Sequence, residues 1–279
     1  MKTLRLPFIL ALFLIVIATA GCWIGDEALR VIARQPRILI PQIINVYPHD
    51  TSAFTQGLLW HDGALYESTG QYGESDVRRV DLETGEVLQI TPLEAAYFAE
   101  GLALIPETDR LVQITWREGT AFVYDRSTFD LVNTFEYTGE GWGLCYDGEW
   151  LWMSDGSANL FQRDPQTFEL ISTLTVTLEG QPIDRINELE CVGGSVYANI
   201  WYADAIVRIS KATWQILDII DARALLTPAQ RAGLPNGAVL NGIAYVPERD
   251  TYLITGKLWE QIFEVVFVPV DRAEPSASG

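Results

Sequence analysis

Short runs of alternating apolar and polar residues fill most of the chain, and turn-forming residues separate them. Period-two alternation predicts strands, because successive side chains on a strand point to opposite faces. The first group is clear: Gly57 to Trp60, a turn at His61-Asp62-Gly63, a return over Leu65 to Thr69, a third strand over Val77 to Asp81, a turn at Glu83-Thr84-Gly85 and a fourth strand from Glu86 to Ile90. The order recurs. Second strands are predicted at Leu111–Ile114, Leu151–Ser154, Val196–Asn199 and Tyr252–Thr255, and third strands at Ala121–Asp125, Leu160–Asp164, Ile206–Ser210 and Ile262–Val266. A period of roughly 40–50 residues with four strands per period is the mark of a β-propeller. The expected fold is therefore all-β, a five-bladed propeller. The last unit lacks an outer strand, and the segment Ile38 to Tyr47 is strand-like and unassigned, so an N-terminal strand is expected to close the last blade. Asp221 to Ala232 reads as a helix-like insertion.

One short unit opens each group: Gln56-Gly57-Leu58, Glu100-Gly101-Leu102, Trp142-Gly143-Leu144, Asn187-Glu188-Leu189 and Asn241-Gly242-Ile243. The frame is kept and its first residue varies. In a propeller the innermost strand lines the channel, so these five leading residues are expected at one channel mouth. Second strands return to the same mouth and end at Trp116, Trp201 and Lys257. Phe54 and Phe98, two residues before Gln56 and Glu100, fall on the same side by alternation. Glu190, three residues after Asn187, is expected to support it. This set holds a carboxylate, an ammonium, amides and aromatic walls. It offers no Ser or Cys nucleophile beside a His and no phosphate-cradling glycine loop. For Trp60, Trp150, Trp152 and Trp214 simple packing is the preferred reading, and for Glu100 and Lys257 the plain alternative is a structural ion pair.

Composition narrows the classes. A net charge of −18 and 20% charged residues argue against nucleic acid as a partner. The two histidines, His49 and His61, and three cysteines lack zinc-ligand spacing, so no metal site is expected. Lys2 and Arg5 precede an apolar run from Leu6 to Ala18, then Thr19-Ala20-Gly21-Cys22. The run is shorter than the roughly 20 residues that span a bilayer, and it reads as an export leader over residues 1–22. Ala20-Gly21-Cys22 resembles a lipoprotein box with Cys22 lipidated, although Thr19 departs from its usual aliphatic residue; an uncleaved anchor is the alternative. An exported, periplasmic or extracellular protein is expected, with contact to a membrane only through the leader or a lipid on Cys22. Residues 23–37 read as a tether, 38–268 as the propeller and 269–279 as a disordered tail. Cys145 and Cys191 either pair or remain buried thiols.

Several motifs together resemble the glutamine cyclotransferase family, the plant and bacterial type of glutaminyl-peptide cyclotransferase. They are Tyr47-Pro48-His49-Asp50, Ala53-Phe54-Thr55-Gln56-Gly57-Leu58, Tyr66-Glu67-Ser68-Thr69-Gly70, Tyr97-Phe98-Ala99-Glu100-Gly101-Leu102, Glu140-Gly141-Trp142-Gly143-Leu144, Asn187-Glu188-Leu189-Glu190, Leu240-Asn241-Gly242-Ile243-Ala244 and Thr255-Gly256-Lys257. The resemblance implies a five-bladed propeller that converts an N-terminal glutamine of peptides or proteins into pyroglutamate with release of ammonia. It implies Glu100 as general base and acid, and Lys257 with Asn187 as oxyanion donors. Gln56, Asn241 and Glu190 would hold polar groups of the substrate, and Phe54, Phe98, Trp116, Trp142 and Trp201 would wall the site. No cofactor is required, a structural cation in the channel stays open, and a monomer is expected. A metal-dependent propeller hydrolase or lactonase and a non-catalytic peptide-binding propeller are the competing readings.

Overall fold

The computed structural model describes residues 35–270, with strand the dominant element among them. Four antiparallel strands make the first unit: β2 (Thr55–His61), β3 (Ala64–Thr69), β4 (Asp76–Val80) and β5 (Val87–Pro92). The second holds β6 (Ala99–Ile105), β7 (Arg110–Thr115), β8 (Thr120–Asp125) and β9 (Leu131–Glu136). The third holds β10 (Leu144–Tyr146), β11 (Leu151–Ser154), β12 (Asn159–Arg163) and β13 (Leu170–Thr175), followed by the small hairpin β14 (Thr177–Leu178) and β15 (Gln181–Pro182). The fourth holds β16 (Ile186–Val192), β17 (Ser195–Ile200), β18 (Ala205–Ser210) and β19 (Ile216–Asp221). In the fifth, β20 (Leu240–Val246), β21 (Thr251–Gly256) and β22 (Gln261–Pro269) are completed by β1 (Arg37–Pro48).

The expected N-terminal closure is present. β1 runs antiparallel to β22, with Tyr47 opposite Ile262 and Leu39 opposite Pro269. It also meets β19 in parallel over Arg37 to Leu39, so one strand ties the fourth unit to the fifth. Strand pairing extends one residue beyond the expected domain at each end, to Arg37 and Pro269. The leader, Cys22 and nearly all of the tether and tail lie outside the described residues.

The core is five wedges, each between consecutive units. Leu59, Tyr66 and Val77 pack on Leu102, Leu111 and Tyr124; Val112 and Ile114 pack on Leu144 and Met153. Trp152 and Leu160 meet Leu189 and Val196, Ile206 and Tyr197 meet Ile243 and Tyr252, and Leu58 and Leu65 meet Ala244 and Leu253. The last wedge joins the fifth unit to the first and closes the ring. Inner strands are buried on both faces, so their alternation is weak; outer strands such as β5 alternate between half-buried and exposed positions. Trp60, Trp150, Trp152 and Trp214 all pack in these wedges.

The turns between third and fourth strands share one mechanism. Asp81, Asp125 and Asp164 each accept backbone N–H groups two or three residues on. The residue four positions after each donates back to its carbonyl in a left-handed conformation: Gly85, Phe129 and Phe168, with Trp214 doing the same after Ser210. Cys145 on β10 and Cys191 on β16 form a disulfide, which resolves the open question of their pairing and staples the third unit to the fourth.

Candidate active site

Four of the five recurring units are β-bulges, the first, second, fourth and fifth. In the second, Glu100 and Gly101 together oppose the single residue Ile114; in the fourth, Asn187 and Glu188 oppose Asn199; in the fifth, Asn241 and Gly242 oppose Thr255. The first is also shifted in register, between Thr55 and Gly57. An extra residue kinks the strand and re-aims its side chain. Here it turns the leading residue toward the channel mouth. The glycine that follows is required by close approach of the next inner strand: a Cβ on Gly57 would lie 2.5 Å from the Leu102 amide nitrogen, and one on Gly143 would overlap the Asn187 carbonyl. At the fourth unit Glu188 replaces glycine and crosses the channel. Its carboxylate accepts the Ile243 N–H at 2.8 Å and the Leu58 N–H at 3.3 Å.

The leading residues and the ends of the second strands converge on one hollow of about 200 Å³. Nine sequence-predicted residues line it: Phe54, Gln56, Phe98, Glu100, Trp116, Trp142, Asn187, Trp201 and Lys257; Asn241 stands behind them and donates from Nδ2 to Gln56 Oε1 at 3.3 Å. That volume falls below the roughly 300–1,000 Å³ of a typical ligand pocket, and suits a single amino-acid residue.

Glu190 does not join them. Three residues along a strand at about 3.3 Å each carry it some 10 Å down the channel. There its Oε1 accepts the Tyr245 N–H at 2.8 Å, and it borders a separate hollow with His61, Glu107 and Cys191. Burial, only partly offset by that N–H, raises its carboxyl to about 8.

Gln56 Nε2 donates to Glu100 Oε1 at 3.0 Å. Burial drives the Glu100 carboxyl well above the usual range; Lys257 opposes this, and Glu140 and Glu118 add to it. Burial lowers Lys257 to about 8, against the pull of Glu100. Among the described residues no ion pair joins the two, and they act on each other through space. The ammonium sits 4.7 Å from the Phe54 ring centroid. Asn187 Oδ1 is buried without a partner, so its amide is not committed to the fold.

The aromatic walls are interlocked. Phe54 and Phe98 meet edge to face at 6.2 Å, Phe98 and Trp116 at 5.6 Å, and Trp142 and Trp201 at 5.1 Å. Gly156, at φ +81°, leaves room for Trp142: a Cβ there would come within 2.6 Å of the indole. Glu140 is a residue that sequence reasoning left out. Its Oε2 accepts both the Trp116 and the Trp142 indole N–H, and its Oε1 accepts Arg117 Nε at 3.0 Å. Those donors hold Glu140, against a burial penalty, below the usual carboxylate range. It stands two residues before Trp142 in a quoted motif, yet nothing local reveals that Trp116 shares it.

A family model for glutamine cyclotransferase matches residues 13–267. A glutaminyl-peptide cyclotransferase of Arabidopsis thaliana is 39% identical over 226 residues, covering 80% of this chain and 70% of that protein. The crystal structure of Myxococcus xanthus glutaminyl cyclase superposes with a TM-score of 0.79 at 42% identity, covering 85% of this chain and all of that one. By sequence, fold and the constellation at the channel mouth, this chain belongs to the glutamine cyclotransferase family.

Proposed function

We propose that the protein is a glutaminyl cyclase that closes the N-terminal glutamine of peptides or proteins to pyroglutamate and releases ammonia. The observation that carries this reading is the convergence of two buried ionisable groups, the Glu100 carboxyl and the Lys257 ammonium, on one aromatic hollow the size of a single residue. The α-amine nitrogen of the substrate attacks its own side-chain amide carbon. A new C–N bond forms, the carbonyl oxygen takes up negative charge, and the amide C–N bond then breaks. The α-ammonium of a peptide has a pKa of about 7.7–8.0, so a share of it is already the neutral amine at and above neutral pH, and that neutral amine is the nucleophile. As the new C–N bond forms, Glu100 takes the proton that the attacking nitrogen sheds and passes it to the departing nitrogen as ammonia leaves. Lys257 and the uncommitted Asn187 amide face the developing oxyanion. Gln56 and Asn241 hold the carboxyl in place, and the aromatic walls keep the side chain folded back on its amine and exclude water. These steps use protein groups alone.

The same reading takes the chain to be exported and monomeric, with the acidic surface serving solubility, and its leader or a lipid on Cys22 supplying any membrane contact. Incubation of the purified protein with a Gln-initiated peptide should release one ammonia per peptide with the matching mass loss, while a peptide with only internal glutamine stays unchanged. Conversion of neither peptide, at any pH from 5 to 9, would overturn the reading and favour a peptide-binding propeller.

A further inference from the structure

Two flanks of the hollow at the channel mouth are backed by further side chains. Glu140 and Arg117 back Trp116 and Trp142. Tyr72 packs edge to face on Phe98 at 5.4 Å and donates its hydroxyl to Glu118. On another flank Tyr202 and Gly237 border both the hollow and a second groove of about 280 Å³.

Tyr202 holds a left-handed backbone at φ 56°, as Phe129, Phe168 and Trp214 do in their turns. The residue is 60% exposed, yet its ring is fixed against Trp201 at a centroid distance of 4.6 Å. An exposed and still oriented aromatic beside a site is a contact surface waiting for a partner. Beyond it the groove runs between Ala203 and the loop Pro235 to Val239. Its only charged side chains, Asp204 and Arg231, neutralise each other at 2.8 Å.

We propose that this groove binds the residues that follow the N-terminal glutamine, as an uncharged peptide segment whose second side chain lies on the Tyr202 ring. The proposal rests on the cyclase reading. A glutamine seated in the hollow, with its α-amine at Glu100, can continue from its carboxyl end across Tyr202 and Gly237 into this groove. The carboxylates of Glu118 and Glu140 flank the other walls and would repel an acidic continuation, whereas the balanced groove accepts a neutral one.

Two substrates test it: glutamine amide, which ends within the hollow, and Gln-Phe-Ala amide, which reaches the groove. Aromatic contact with Tyr202 should give the tripeptide a kcat/KM about tenfold higher in the wild type. Asn236→Trp, on the exposed lip, should fill the groove. The double variant Asp204→Ala, Arg231→Ala should strip its far wall. Both are expected to erase the tripeptide advantage through KM and to leave glutamine amide turnover unchanged, with melting temperatures close to wild type. If the wild type shows no preference, or if the preference survives in Asn236→Trp, the groove is not the binding site. Failure to cyclise either substrate overturns the cyclase reading itself, a result distinct from cyclising both equally.

Discussion

The indole N–H groups of Trp116 and Trp142 converge on one oxygen, Glu140 Oε2, at 2.8 and 3.1 Å. The two rings come from different units, 26 positions apart, and a single carboxylate sets their spacing. That carboxylate also contributes to the high proton affinity of Glu100, together with Glu118 and against Lys257.

Two substitutions at Glu140 should therefore separate its roles. Glu140→Ala loosens both indoles, and KM for a Gln-peptide should rise about tenfold. Glu140→Gln keeps an acceptor oxygen for the indoles but removes the charge. Its KM should stay near wild type, while the acidic limb of kcat/KM moves to lower pH, since Glu100 ionises more readily without a negative neighbour. A pH profile unmoved by Glu140→Gln would remove the electrostatic role.

Glu100→Gln should lower kcat by about 10²–10⁴-fold without loss of stability. The amide is neutral, so the variant escapes the penalty that burial places on the ionised carboxylate. Its melting temperature should equal or exceed wild type, most clearly at alkaline pH. Turnover within a fewfold of wild type would eliminate Glu100 as base.

Lys257 is lowered to about 8, so its ammonium is present below that pH and lost above it. kcat should fall on an alkaline limb near pH 8. Lys257→Arg keeps a charge that does not titrate there, and in any activity it retains that limb should be absent. Lys257→Met should cost about 10²–10³ in kcat, the scale of losing one oxyanion donor.

Glu190 links pH to stability with a definite sign. Its folded pKa of about 8 lies above the ordinary glutamate value of 4.5, so ionisation disfavours the fold. Stability is complete below about 4.5 and declines as pH rises to about 8. Glu190→Gln keeps an acceptor for the Tyr245 N–H and cannot ionise. Calorimetry should show the variant ahead of wild type by a few degrees at pH 9 and level with it at pH 4. A constant gap across that window would place the titration elsewhere.

The Cys145–Cys191 disulfide closes a 46-residue separation, for which loop entropy sets a scale of about 4 kcal/mol. Replacing both cysteines by alanine should lower the melting temperature by roughly 10 °C, with kcat nearly unchanged because the bond lies toward the opposite mouth. A large loss of kcat with an intact fold would instead couple the disulfide to the site.

Much of this was legible along the chain. The period of the strands, the Asp-led turns and the spare strand before Tyr47 are local signals, because alternation and turn chemistry act over a few residues. The recurring units marked the channel mouth for the same reason: a repeat places equivalent residues at equivalent points of a symmetric fold. Glu190 escaped that logic. Three residues along β16 carry it away from the mouth, and nothing local reveals that its carboxylate accepts the Tyr245 N–H of the next unit.

The sequence by itself determined the all-β repeat, the family, and which residues stand at the head of each inner strand, since these depend on periodicity and short motifs. Only the tertiary structure decided the rest. The bulges that aim Gln56, Glu100, Asn187 and Asn241 are a property of paired strands, because an extra residue exists only relative to its partner. The shared carboxylate of Glu140, the pairing of Cys145 with Cys191, the opposed shifts of Glu100 and Lys257, and the groove beside Tyr202 each require residues distant in sequence to meet. Burial and convergence are what alter their chemistry, and no local pattern encodes either.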